Sequence, residues 1–195
     1  MSHIYGLVLT GGKSTRMKQD KASLEYHGKK QSVAAFELLS SLCEKVFISN
    51  RKDQANDDGQ KNFLQIHDLP IYEGIGPMAG ILSAMTQYPG VAWLILACDL
   101  PFVDKKTLEY LIKHRNPQKV ATAFISTADN LPEPLCAIYE PHSQDLAITF
   151  FNTGKTCPRK FLINSDVELL KQPDPKALIN VNTPQEYENI KKNSY

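Results

Sequence analysis

The sequence predicts an α/β protein, with a mostly parallel central sheet and helices on both of its faces. Three observations carry that expectation. Apolar runs of strand length alternate with helical patterns along the chain, as βα repetition requires. The run Ala92–Ala97 (Ala-Trp-Leu-Ile-Leu-Ala) is apolar on both faces, as a central parallel strand must be. The opening apolar run, residues 4–10, leads at once into Gly11-Gly12, the arrangement of a strand that feeds a ligand loop.

The remaining elements follow from the same patterns. Residues 32–43 carry Val33, Phe36, Leu39 and Cys43 on one face, which predicts a helix. Short apolar runs predict strands at 46–48 and 63–66. Pro77 starts a helix running to about Tyr88, because proline is tolerated at the first helical position. A helix is expected over 105–114 and strands over 120–125 and 135–139, with Pro134 confining the last to an edge or to a strand's beginning. Thr183-Pro184-Gln185-Glu186 combines a capping box with proline at the first turn, so a terminal helix begins there. Stretches 56–62 and 171–176 read as surface connections, and the expectation is one domain over residues 1–195.

Composition narrows the function classes. With 22 basic against 21 acidic residues the net charge is +1, which argues against a nucleic-acid-coating surface. Cys43, Cys98, Cys136 and Cys157 form no Cys-x-x-Cys pair, so neither a zinc site nor a disulfide framework is expected. Cys43 and Cys136, each beside a leucine, read as small core residues. His3, His27, His67, His114 and His142 show no pair at metal-ligand spacing. The N-terminus has no basic leader with a cleavage site, and no apolar run approaches ~20 residues. The expectation is a soluble cytoplasmic protein with neither a nucleic-acid nor a membrane partner.

The segment Leu9-Thr10-Gly11-Gly12-Lys13-Ser14-Thr15-Arg16-Met17-Lys18-Gln19-Asp20-Lys21 carries most of the functional signal. Adjacent glycines let the backbone approach a ligand closely. Lys13, Arg16, Lys18 and Lys21 add four cations within nine positions. Exposed amides and cations at the carboxyl end of a strand make an anion site, and a triphosphate is the fitting anion. Two familiar phosphate loops are excluded. A Walker A loop needs glycine at position 7, which is Leu7, and the dinucleotide fingerprint fails because Gly11 and Gly12 are adjacent. That failure also counts against an oxidoreductase.

A second candidate is Asp99, just after the central strand. A carboxylate at a strand's carboxyl end suits Mg²⁺, which takes one or two carboxylates and fills its shell with water and phosphate oxygens. A turn aspartate capping the next loop would look the same from position alone. Gly76-Pro77 before a helix bearing Gly80 signals a close approach of that helix to a neighbour.

Taken together, Leu9-Thr10-Gly11-Gly12-x-Ser14-x-Arg16-Met17-x-x-Asp20-Lys21, Gly76-Pro77-Met78-Ala79-Gly80, Cys98-Asp99-Leu100-Pro101, Glu133-Pro134-Leu135 and Asn180-Val181-Asn182-Thr183-Pro184 resemble the motifs of molybdenum cofactor guanylyltransferases, in family order. The resemblance implies a Rossmann-like three-layer sandwich of the nucleotide-diphospho-sugar transferase type. It implies GTP as donor, a molybdopterin-type pterin phosphate as acceptor, Mg²⁺ as cofactor, and transient contact with cofactor-delivery or molybdoenzyme proteins. It assigns catalysis to Arg16, Lys21 and Asp99, with Asp99 the metal ligand. Leu9, Thr10, Gly11, Gly12, Lys21, Asp68, Asp99, Asn180 and Asn182 would hold the nucleotide, metal or acceptor.

Two departures stand out. Met17-Lys18 replaces the family's usual Met-Gly. The family's base-contacting asparagine after the second strand has no clean match, since Ile48 or Ser49 falls there and Asn50 lies one or two places later. Two other readings are carried: a sister enzyme using another base or acceptor, such as a cytidylyltransferase, and a catalytically silent nucleotide-binding protein of the same fold. Intact Arg16, Lys21 and Asp99 count against the second.

Overall fold

The computed structural model describes residues 3–10, 25–26, 29–50, 62–181 and 183–192. Its elements run β1 (Ile4–Leu9), β2 (Glu25–Tyr26), β3 (Lys29–Lys30), α1 (Gln31–Ser40), β4 (Lys45–Asn50), β5 (Gln65–His67) and α2 (Pro77–Gln87). Then follow β6 (Ala92–Ala97), α3 (Lys105–Lys113), β7 (Ala121–Ile125), β8 (Pro132–Tyr139), α4 (Ser143–Asn152), α5 (Pro158–Ile163), β9 (Val167–Leu170) and α6 (Pro184–Lys192). Strands β5-β4-β1-β6-β8-β7-β9 form one sheet in that order, and β2 pairs only with β3. Four ladders of the large sheet are parallel; β8 runs against both β6 and β7. The expected mostly parallel sheet with flanking helices is therefore observed.

Alternation along β6 divides the core. Trp93 and Ile95 point to the layer holding α2, α4 and α5, where they meet Met78, Ile81, Leu82, Ala147 and Phe161. Leu94 and Leu96 point the other way, toward Ala35 and Leu39 of α1 and Leu108 and Leu111 of α3. A strand buried on both faces needs this unbroken apolar run. No helix of the described residues is long and apolar enough to cross a membrane.

Several boundaries differ from expectation. The helix anticipated over 32–43 ends at Ser40, where Ser40 Oγ donates to Phe36 O and Ser41 Oγ to Leu38 O, so local side-chain bonds compete with the next turn. The strand anticipated at 135 starts at Pro132; Pro134 still sits at its beginning, before the first β6 partner pair at Cys136. Asp104 caps α3, accepting from Thr107 N and Oγ1 at 2.8 and 2.7 Å. Thr183 Oγ1 accepts from Glu186 N at 3.1 Å, the first half of the expected capping box. The connection at 171–176 carries no regular element, whereas 56–61 lies outside the described residues.

Gly80 explains the close approach of α2. A Cβ there would collide with Ser49 Oγ and come within 2.9 Å of Leu9 Cδ2, so a bare Cα is what lets α2 lie against the ends of β1 and β4. Gly76, just before α2, has φ +70° and ψ −148°, a region that only glycine occupies readily. At the opposite end of the sheet Arg115 grips Glu140 through two 2.6 Å bonds, with both side chains almost wholly buried.

Two stability predictions follow from these contacts. Gly80→Ala gains about 1 kcal/mol of helix propensity but overpacks Ser49 and Leu9 by about 1–3 kcal/mol. A net loss is expected, seen as a lowered Tm, and a raised Tm would mean the α2–sheet spacing adapts. Arg115→Met leaves the Glu140 carboxylate buried without its partner, costing about 3–5 kcal/mol. The double change Arg115→Met with Glu140→Leu should recover most of that in chemical denaturation, because no buried charge is then left over.

Candidate active site

Three parallel strands end at one level, and backbone bonds hold them there. Thr10 N and Oγ1 both donate to Ser49 O, at 3.3 and 2.8 Å, while Cys98 N donates to Leu9 O at 3.2 Å. The Leu9–Thr10 peptide is thus tied to β4 on one side and to the end of β6 on the other. Both residues are buried, and their neighbour along the chain is Gly11. Gly11, Gly12, Arg16 and Lys21 lie outside the described residues, as does Asn182.

Asp99 is the second residue past β6, next to this point of exit. Its carbonyl accepts from Val181 N at 2.9 Å, which brings the Asn180–Val181 backbone to the metal candidate. Val181 is buried and Asn180 exposed. Leu9, Thr10, Asp99 and the Asn180–Val181 backbone are therefore brought together, as expected of one site. Asp68 is not with them. It follows β5, two strands beyond β1, and three strand spacings, roughly 14 Å, separate β5 from β6. Its neighbour Leu69 is anchored by donating N–H to Ser83 Oγ of α2 at 2.9 Å.

Asn50, with no clean counterpart by position in the sequence, is the last residue of β4, buried, and opposite His67. Its Nδ2 donates to Gln65 Oε1 at 3.1 Å. A carboxamide fixed in this way, at the end of the strand beside β1, is suited to reading the edge of a base.

Glu133 was legible only as part of a motif. Leu96 stands opposite Cys136 in the last pair of the antiparallel β6–β8 ladder, so Asp99, three residues on, and Glu133, three residues back, lie past that pair at the same end of two neighbouring strands. Glu133 Oε1 accepts from Leu135 N at 3.0 Å and Oε2 from Arg159 Nη2 at 2.9 Å; Arg159 Nη1 reaches Asp129 at 2.7 Å. Burial pushes the Glu133 carboxyl above its ordinary value, the Leu135 amide and Arg159 pull it back, and the charge of Asp99 raises it again. Sequence periodicity could not expose this network, because Arg159 is 26 residues from Glu133.

The donor set can be tested for the cation it fits. Among the described residues no three His, Cys, Asp or Glu side chains cluster as a metal cage. A lone carboxylate with a second one at the same end of the sheet fits a hard cation that keeps most of its water, as Mg²⁺ does. Burial raises the Cys43 thiol to about 12 and pushes Cys136 up as well, so neither is a competing nucleophile. Cys157, by contrast, is exposed.

Comparison with known proteins agrees with this geometry. The family model of the MobA-like NTP transferase domain matches residues 6–166. A molybdenum cofactor biosynthesis bifunctional protein of Synechocystis sp. is 40% identical over 187 residues, covering 96% of this chain and 53% of that protein. The chain thus spans about half the length of that relative. A probable molybdenum cofactor guanylyltransferase of Clostridium perfringens is 30% identical over 193 residues, covering 94% of this chain and 93% of the relative. Among solved structures, molybdopterin-guanine dinucleotide biosynthesis protein A from Archaeoglobus fulgidus superposes with a TM-score of 0.76 at 22% identity, covering 96% and 97% of the two chains. The 2-C-methyl-D-erythritol 4-phosphate cytidylyltransferase of Thermus thermophilus shares the fold at TM-score 0.66 and 11% identity, over 96% and 97% of the two chains.

Proposed function

Because the chain belongs to the MobA-like NTP transferase family, we propose that it transfers GMP from GTP to the phosphate of molybdopterin or its molybdenum-loaded form. The products are the guanine dinucleotide cofactor and pyrophosphate. The whole chain, residues 1–195, is read as one nucleotidyltransferase domain working in the cytoplasm. Transient contact with proteins that deliver or receive the cofactor belongs to the same reading.

One observation carries it. The backbone at Leu9–Thr10, where the glycine loop begins, is bonded directly to the strand end that bears Asp99. A phosphate loop and a metal carboxylate must share one cleft if both are to hold a single triphosphate.

The chemistry asked of the protein is positioning and charge neutralisation. An oxygen of the acceptor phosphate attacks the α-phosphorus in line; that P–O bond forms as the bond to the β-phosphate bridge breaks, and pyrophosphate leaves. The acceptor phosphate is already anionic at neutral pH, so no general base is required. Arg16 and Lys21 neutralise the triphosphate, and the Gly11–Gly12 amides approach it closely. Asp99 would hold Mg²⁺, with Asn180 and Asn182 beside it. A bound Mg²⁺ supplies Lewis-acid neutralisation of the charge that develops on the phosphate oxygens. Thr10 and Leu9 fix where the loop departs, Asp68 lines the nucleotide side, and Asn50 is the residue best suited to contact the base.

Asp99→Asn should lower the rate of GTP-dependent pyrophosphate release at least about a thousandfold, with little change in Tm. Turnover near the wild-type rate would remove Asp99 from the mechanism. In thermal shift with Mg²⁺, GTP should stabilise more than CTP or ATP at equal concentration. Larger stabilisation by CTP would favour a cytidylyltransferase instead. Nucleotide binding without any pyrophosphate release in the presence of molybdopterin would point to a silent binding protein.

A further inference from the structure

The Glu133–Arg159–Asp129 network is the charged cluster nearest the site to which the reaction above gives no task. Its position is set by the sheet. β8 runs antiparallel to β6, so its N-terminal residues lie level with the carboxyl end of β6. Asp99, three residues past the last paired residue Leu96, and Glu133, three residues before its partner Cys136, therefore lie at the same end of two neighbouring strands.

Glu133 is held from two directions. Leu135 N–H fixes one carboxylate oxygen and Arg159 the other, and the side chain is only 13% exposed. Arg159 is shared with a second partner, Asp129. Beyond the effect of burial, the charge of Asp99 is felt at the Glu133 carboxyl, which it raises, as two carboxylates at one end of a sheet do.

We propose that Glu133 is the second carboxylate of the divalent-cation site, acting through the water shell of a metal held by Asp99. This rests on the reading of Asp99 as metal ligand. Mg²⁺ retains several waters even when bound, and each is a donor that a carboxylate one layer out can orient. Both Glu133 oxygens keep a lone pair beyond the bonds described, so the residue can accept from such waters without losing its anchors.

The charge arithmetic gives a test that a structural ion pair would fail. Glu133 and Arg159 together are neutral. Glu133→Gln keeps the volume and leaves the guanidinium, which repels a cation. Arg159→Gln leaves a carboxylate that is charged or at most neutralised by a proton, so the local charge is never more positive than in the wild type. The two variants therefore act on cation affinity in different directions, although each breaks the same ion pair.

Mn²⁺ serves as the probe, its binding followed by the loss of the free-ion electron paramagnetic resonance signal. The full chain is used with a non-hydrolysable GTP analogue present, and Tm and analogue affinity without metal are measured alongside. Glu133→Gln should raise the Mn²⁺ Kd about tenfold, the scale of an outer-shell partner, with analogue affinity unchanged. Arg159→Gln should bind Mn²⁺ no more weakly than the wild type, and Asp99→Asn should lose the tight site. Loss in Asp99→Asn with Glu133→Gln within twofold of wild type overturns this inference alone. Wild-type binding by Asp99→Asn, or no binding by the wild type, removes the metal reading beneath it. Equal weakening in Glu133→Gln and Arg159→Gln reduces the pair to a structural brace. Should Glu133→Gln fail to fold, Arg159→Gln decides by itself, since weaker binding there contradicts the charge argument.

Discussion

A single peptide, Leu9–Thr10, is tied to both neighbouring strands, and the site inherits its geometry from that. Ser49 O takes two bonds from Thr10, and Leu9 O takes one from Cys98. In a sheet, slipping the register by one residue turns every side chain to the opposite face. Here a slip of β1 would drive Leu7 and Leu9 out of the layer beneath α2 and separate the start of the glycine loop from Asp99. The apolar burial of both faces opposes that slip, and Gly80 tightens the restraint by seating α2 directly on Leu9 and Ser49. Packing of the sheet thus sets the distance between the two halves of the site, with no ligand needed to do so.

The reversed strand divides the work along its length. β8 begins beside Asp99 and ends beside the start of β6, so its two flanking glutamates serve opposite ends of the molecule. Glu140, just past its end, is locked by Arg115 where neither side chain meets solvent, which is a structural use of charge. Glu133, near its beginning, is paired with an arginine that stays one-third exposed and shares itself with Asp129. A parallel strand in the same place would have brought its carboxyl end to the site instead. Reversal is what delivers an acidic residue level with Asp99.

Much of this was legible in the sequence where a local rule had no competitor. Ala92–Ala97 was read to the residue, because nothing but a doubly buried strand explains six consecutive apolar positions. Pro77 and Thr183-Pro184 marked their helices because proline and capping residues act within one turn. Elements whose existence depends on partners were missed. β9 is short and half-exposed and exists by pairing with β7. α4 has no side-chain cap and carries β-branched and aromatic residues at Ile148–Phe151, which weakens its local signal. Of the candidate site, Leu9, Thr10 and Asp99 could be anticipated because they sit at strand ends. The Glu133–Arg159 contact could not, since only the packing of α5 against β8 brings positions 26 apart together.

The charge balance at this end of the sheet bears on why the proposed reaction needs a cation. Asp99, Glu133, Asp129 and Arg159 together carry a net charge of about −2 at neutral pH when each has its ordinary charge. Onto this the reaction brings two further anions, a triphosphate and an acceptor phosphate. Two unit charges 4 Å apart near a protein surface interact by about 4 kcal/mol, so the bare carboxylates oppose the binding of the substrates' phosphates. On the β8 side Arg159 is already committed to two carboxylates. The acidic character of that side is a cost if the protein acts alone and an asset once a divalent ion stands between carboxylates and phosphates. A site so arranged is poised to bind nucleotide and metal together, each raising the affinity of the other, because each supplies the charge that the other lacks.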